Sequence, residues 1–290
     1  MRILISYTNG NASGGSELFH YELITGLRKY KDLDITVATL TEPNLDFQLW
    51  QDIIKLGIKV CSLERLIQIP DDYFELIISS QPHPTNILCQ RYPTTPKISI
   101  IHSILRSEEP IKHESIKKYI SVQVDIKKGL KRFHNIESEL IYNPVDPTRF
   151  NKNIYDEYEY TFTKGVFVGE VNDPLRIPMI DHLVEHCKQN QYQLVCISRS
   201  TRDFNTDLVT FVEPTLNTEH YLKNADFAAG LRGRVAIEAY MCGVPFYAYD
   251  VDSSGRILKT ELVDYMKTRR FEKQVVCSQH YDLYKQVLNL

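Results

Sequence analysis

The stretch Arg232-Gly233-Arg234-Val235-Ala236-Ile237-Glu238-Ala239-Tyr240-Met241-Cys242-Gly243-Val244-Pro245-Phe246-Tyr247-Ala248-Tyr249-Asp250 joins a glycine turn, a short helix with one carboxylate, and a buried strand. Gly233 permits close backbone approach, and the helix behind it offers unpaired N–H groups, an arrangement that attracts phosphate. Ala236, Ile237, Ala239, Tyr240 and Met241 suit a helix packed on a sheet, which makes Glu238 the odd residue of an apolar element. A carboxylate there needs a partner. A vicinal ribose diol is one, because an ionised carboxylate accepts two hydrogen bonds; solvent or a neighbouring backbone is the other.

Working outward, the same rhythm of strand and helix fills the second half. Strands are predicted over Gly165–Gly169, Gln193–Ser198, Val209–Val212, Phe227–Ala229 and Pro245–Tyr249, with helices over Pro178–Gln189, Thr218–Lys223 and around Glu238. A last helix is expected over Ser278–Leu290. The first half repeats the pattern. Ile3-Leu4-Ile5-Ser6 leads through a glycine-rich loop, Thr8–Gly15, into a helix whose apolar positions Leu18, Phe19, Leu23, Ile24, Leu27 and Tyr30 recur at helical spacing, with Ser16 placed to cap it. Strands follow at Asp34–Thr39, Ile58–Leu63, Glu75–Ser79, Lys97–His102, Tyr119–Val122 and Glu139–Tyr142, with helices over Leu45–Leu56 and Val124–Phe133. Runs apolar on both sides are those of buried parallel strands. Asn143–Phe150 breaks the rhythm and Asn151–Thr163 is polar and aperiodic, which places a linker there. The fold class expected is α/β, two doubly wound Rossmann-like domains facing a cleft.

With 290 residues the chain has room for two such cores, and a formal charge of −3 gives no global attraction to a polyanion. Six cysteines without a C-x-x-C pair read as reduced core residues of a cytosolic protein. Met1–Tyr7 enters a strand pattern directly, unlike a signal peptide, and no apolar run is long enough to span a bilayer. The expected location is therefore the cytoplasm, with any membrane contact peripheral.

Taken in order, four motifs resemble those of family 4 glycosyltransferases with the GT-B fold. Gly14-Gly15-Ser16-Glu17 is similar to the family's G-G-x-E loop, and Tyr142–Phe150 to its N-G-V-D-x-x-x-F linker. Asn224-Ala225-Asp226 stands where the family has A-D, and Glu238–Pro245 resembles E-A-x-x-x-G-x-P. The resemblance implies an acceptor-side domain over 1–143 and a nucleotide-sugar-binding domain over 144–290. It implies that Glu238 takes the ribose, the amides around Gly233, Arg234 and Val235 the phosphates, and Gly14 and Gly15 part of the donor. His102, at the end of a strand, fits the family's histidine beside the transferred sugar, with His83 as its rival.

Three departures stand out. Gly230 occupies the position of the first carboxylate in the family's E-x7-E pair, and the loop between Asp226 and Glu238 is short. Glu170 replaces the family's arginine after the first strand of this half, leaving Arg176 as the phosphate clamp, with Arg232 and Arg234 able to add charge. A vaguer resemblance to bacteriophage DNA glucosyltransferases changes the acceptor to a modified base. Lys112, Lys117, Lys118, Lys127, Lys128, Lys131 and Arg132 would then meet DNA, an anionic membrane surface, or solvent alone.

The expected activity is that of a retaining glycosyltransferase acting on a glycan or lipid-linked sugar. The alternatives are a DNA glycosyltransferase and a catalytically inactive nucleotide-sugar-binding or partner protein. No cofactor is expected beyond the donor, a UDP-sugar, and without an Asp-x-Asp motif no metal.

Overall fold

A computed structural model of the chain describes residues 1–7, 15–103, 110–151, 164–251, 257–263 and 272–290, with backbone alone for residue 67 and for 258–263. Gly14 and residues 152–163 of the expected linker lie outside the described residues. The chain divides into two units, Met1–Pro144 with Arg269–Leu290, and Val145–Thr268.

The first unit is built on β1 (Arg2–Tyr7), α1 (Gly15–Leu27), β2 (Asp34–Thr39), α2 (Gln48–Lys55), β3 (Lys59–Ser62), β4 (Leu76–Ser80), α3 (Pro82–Arg91), β5 (Lys97–Ile101), β6 (Ile116–Ser121), α4 (Val124–Gly129) and β7 (Glu139–Leu140). Its seven strands run parallel in the order β3-β2-β1-β4-β5-β6-β7. Ile3, Leu4 and Ile5 of β1 are wholly buried, as a strand covered on both faces must be. Strand order reverses between β1 and β4, so two βα turns diverge there and leave a crevice at the strands' carboxyl ends.

The second unit contains β8 (Lys164–Val168), α5 (Ile177–Asn190), β9 (Gln193–Ile197), β10 (Val209–Val212), α6 (Thr218–Lys223), β11 (Phe227–Leu231), α7 (Arg234–Met241), β12 (Phe246–Val251) and β13 (Ile257–Val263). The order is β10-β9-β8-β11-β12-β13, parallel except for the antiparallel edge strand β13. Here the reversal lies between β8 and β11. Met179, Ile180, Leu183, Val184 and Cys187 of α5 bury one face against Phe167, Leu194, Cys196 and Phe227 of the sheet. The Asn143–Phe150 segment seats Val145 and Phe150 in the interior, and Asp146 tightens it by accepting from the amide and hydroxyl of Thr148 at 2.9 and 2.7 Å.

Several expectations are corrected. Ser16 does not cap α1 but lies inside its first turn, where its carbonyl oxygen is 2.7 Å from His20 Nδ1. The helix expected from Leu45 starts at Gln48, because Asn44 turns the chain by accepting from the amides of Asp46 and Phe47. Helix α3 and strand β13 are additions. Pro82 and Pro84 in the first turn of α3 obscure its helical pattern, although proline there is tolerated because that turn's N–H groups lack helical acceptors.

The last helix, α8 (Lys273–Leu288), does not belong to the second unit as the expected 144–290 domain required. It packs on α1. Gly26 is what lets it approach: a Cβ at that position would lie 2.3 Å from Cys277 Sγ. Tyr281 stacks on Tyr30 at 3.8 Å and donates to Asp32 at 2.7 Å, while Lys273 pairs with Glu22 at 2.8 Å. All six cysteines are free, five of them buried and Cys61 half-buried. Among the described residues no helix is long and apolar enough to cross a membrane.

Candidate functional site

Both candidate residue sets lie at carboxyl ends of parallel strands, the place where open α/β sheets take ligands. In the second unit, β8 runs into the turn Gly169–Arg176. A Cβ at Gly169 would lie 3.0 Å from Arg176 Nη1, so glycine leaves room for the guanidinium to lie against the turn. Arg176 Nε is also 3.5 Å from Asp173. Glu170 is held on the β9 side, accepting from Ser198 Oγ at 3.3 Å.

The neighbouring turn, from β11 to α7, carries the opposing set. Gly233 is the N-cap of α7, with an extended backbone open to any residue. Arg232 Nε donates to Asp250 of β12 at 3.1 Å. Arg234 opens the helix, and its Nε donates to Glu238 Oε1 at 2.6 Å, one turn further on. Both side chains are almost fully buried, 5% and 2% exposed. The other oxygen of Glu238 accepts from Thr218 Oγ1 of α6 at 3.4 Å. Glu238 is therefore not solvated: a buried arginine holds it. An arginine is misplaced at the positive end of a helix dipole, which favours anions. The same turn carries Arg232, and Val235 follows as the second residue of the helix.

In the first unit His102 follows β5 directly. Its ring meets Phe19 edge-on at 4.8 Å and lies 5.7 Å from the ring of His20. Burial pushes its pKa down to about 4, so it is neutral, and its buried Nε2 has no hydrogen-bond partner among the described residues. His20 sits between Ser16 O, 2.7 Å from Nδ1, and Ser80 Oγ, 2.8 Å from Nε2. Since a carbonyl only accepts, Nδ1 carries the proton and Nε2 accepts from the serine. Tyr7 stacks on His20 at 4.3 Å. His102 lines a pocket with Gln81, Thr85, Ser99, Pro110 and Ile111. His83 points away from this choice, exposed in the first turn of α3. Gly15 begins α1.

Thus Arg176 and Gly233 lie on two adjacent turns of one unit, with Arg234, Val235 and Glu238 on the helix α7 that follows the second, while His102 and Gly15 lie in the other unit. Sequence reasoning missed Thr218, Asp250, His20 and Gln81. Of these, Asp250 stood directly after a predicted strand and Gln81 two residues after another, while Thr218 and His20 carried no such signal. Lys117, Lys127, Lys128, Lys131 and Arg132 of the basic run are exposed, and Phe133, 64% exposed, lies beside them. Among the described residues no three His, Cys, Asp or Glu side chains gather as metal ligands.

No family model and no curated protein matches the sequence. Solved structures do match. A glycosyltransferase from Rickettsia africae ESF-5 superposes with a TM-score of 0.73 at 11% identity, over 99% of this chain and 98% of that one. The UDP-GlcNAc 2-epimerase from Neisseria meningitidis, bound to UDP-GlcNAc, gives 0.61 at 11% identity over 99% and 93%. An alpha-glucosyltransferase in complex with UDP-glucose and DNA containing an abasic site gives 0.57 at 12% identity over 85% and 79%. The chain has the GT-B fold, two Rossmann-like units, as its motifs predicted.

Proposed function

We propose that this chain is a glycosyltransferase that moves a sugar from a nucleotide diphosphate, a UDP-sugar, to an acceptor hydroxyl of a glycan or lipid-linked sugar, with retention of configuration. The observation that carries this reading is the charge at the switch point of the second unit. Arg176 stands on one of the two diverging turns, with Arg232 and Arg234 on the other at the start of α7. Two phosphates need donors of this kind, and the fold neighbours named above supply the donor class by analogy.

In this reading the arriving donor exchanges partners within a buried pair. Arg234 turns from Glu238 to the diphosphate, and Glu238 takes the ribose diol that the exchange frees it to accept. The bond from the anomeric carbon to the phosphate oxygen breaks, its electron pair leaving with the nucleoside diphosphate. The acceptor oxygen then bonds that carbon from the same face, and its proton passes to the departing diphosphate. The arginines and the amides of α7 stabilise the leaving charge, so no nucleophile from the chain is needed. His102, neutral and with a nitrogen unmatched among the described residues, holds the sugar or the acceptor in this reading.

The test is calorimetry with UDP, GDP and ADP, followed by turnover of the corresponding sugars on simple glycans and on hydroxymethylated DNA. Glu238→Gln is expected to weaken UDP binding at least tenfold; unchanged affinity would remove Glu238 from the ribose role. Turnover should survive a chelator, and abolition would overturn metal independence. The 2-epimerase likeness, spanning nearly all of both chains, favours a second reading: a UDP-sugar epimerase. Conversion of UDP-GlcNAc at C2 without an acceptor would select it, and donor binding without any turnover would mark an inactive member.

A further inference from the structure

Glu238 is held from two sides, and the second side leads away from the turn. While Arg234 takes Oε1, Oε2 accepts from Thr218 Oγ1 at 3.4 Å. Thr218 is the first residue of α6, a helix of six residues, too short to fix its own start by helical bonds alone. That start is gripped from outside. Arg149 forks onto Glu219, with Nε 3.4 Å from Oε1 and Nη2 2.8 Å from Oε2, and Nη2 also donates to the carbonyl of Leu216. One guanidinium therefore clamps the chain on both sides of Asn217 and Thr218. The clamp is itself fixed. The amides of Arg149 and Phe150 donate to Asp146 O at 3.2 and 3.0 Å, and the buried Phe150 ring lies 5.2 Å from the guanidinium carbon. Both members of the fork are mostly withdrawn from water, the Arg149 side chain 25% and that of Glu219 18% exposed, which favours a charge-assisted pair with this geometry.

We propose that Arg149 is a positioning residue for the carboxylate of Glu238: through Glu219 and Leu216 it sets Thr218, and Thr218 keeps Glu238 in place when Arg234 leaves it for the diphosphate. A carboxylate released by its arginine is otherwise free to turn. Anchored at Oε2, it presents Oε1 to a hydroxyl pair in one orientation. Each carboxylate oxygen accepts two bonds, so the threonine does not compete with the diol. The gain is selectivity for ribose over deoxyribose. A fixed acceptor loses a bond outright when one hydroxyl is missing, whereas a loose one re-aims at the hydroxyl that remains. The ribose half of this assignment rests on the nucleotide-sugar reading above; the coupling from Arg149 to Glu238 does not.

The experiment is calorimetry of the full chain, of Arg149→Met, of Thr218→Val and of the double variant with UDP, 2′-deoxy-UDP and inorganic pyrophosphate. The native chain should prefer UDP to 2′-deoxy-UDP by about tenfold. Each single variant should reduce that preference to about threefold or less, and the double variant no further than Arg149→Met, since both changes act through one hydrogen bond. Pyrophosphate has no ribose and should bind all of them alike, whereas a damaged fold would lose it too. Arg149→Lys, which keeps the charge without the fork, should fall between Arg149→Met and the native chain. The proposal is overturned by variants that keep the native preference, by an equal loss of all three ligands, or by losses of preference that add in the double variant. If the native chain binds neither nucleotide, the donor reading falls, and urea midpoints of the same proteins decide the coupling. A double variant that loses less than the sum of the single losses upholds it, and a full sum overturns it.

Discussion

The pairing of Arg234 with Glu238 makes the candidate site costly to hold in the absence of ligand. Two charges are withdrawn from water, and the cation sits at the helix end that repels it. Removing one partner should therefore be worse than removing both. Arg234→Met strands a buried carboxylate and is expected to cost about 3–5 kcal/mol. The double variant Arg234→Met/Glu238→Leu should recover most of that stability while losing UDP binding. Guanidinium unfolding with calorimetry separates the two effects, and a double variant that binds UDP like the native chain would place the nucleotide elsewhere. Glu238 itself was legible in the sequence, as a lone carboxylate in an apolar helix. Its partners were less so. Thr218 lies twenty residues upstream, and the Asp250 that holds Arg232 depends on β11 pairing with β12 so that Leu231 stands opposite Tyr249. Such contacts are consequences of register, which apolar runs leave open.

Helix α8 shows the same division between pattern and placement. The sequence announced a last helix over Ser278–Leu290 but not the surface it would cover. The surface is marked by Gly26, which the pattern of α1 gave no reason to single out. Gly26→Ala places a methyl 2.3 Å from Cys277 Sγ. Overpacking of this kind costs about 1–3 kcal/mol, against a gain in helix propensity of about 1 kcal/mol. A net loss is expected in the native background. Once Cys277→Ala has removed the sulfur, the same substitution should become neutral or stabilising. A stabilising Gly26→Ala in the native chain would mean that α8 does not pack as closely as the structure has it. Strands β1, β2 and β9 were legible because burial on both faces demands continuous apolar runs. Helix α3 and strand β13 were not, the one opening on two prolines and the other carrying Lys259, Thr260 and Glu261 at a sheet edge.

Three histidines converge in the first unit, on α1, at the end of β5 and on α8, with Phe19 in ring contact with each. Burial pushes His102 down to about 4 and His280 to about 3, and His20 lies well below its ordinary range, first through burial and then through the other two. An unfolded chain protonates all three near pH 6.5. Below that pH the unfolded state binds more protons than the native one, so stability falls with pH until the native histidines themselves titrate. Each contributes a slope of up to about 1.4 kcal/mol per pH unit. Tyr7 stacks on His20 and on Trp50, the single tryptophan, which is buried in this unit. Tryptophan emission thus reports on the unit that holds the cluster. Guanidinium midpoints followed by that emission should decline between pH 6.5 and 5, before most carboxylates titrate. His280→Phe, which keeps a ring against Phe19, should flatten the decline by about one proton's slope. Midpoints constant across that window would show that the three rings are not buried and neutral together.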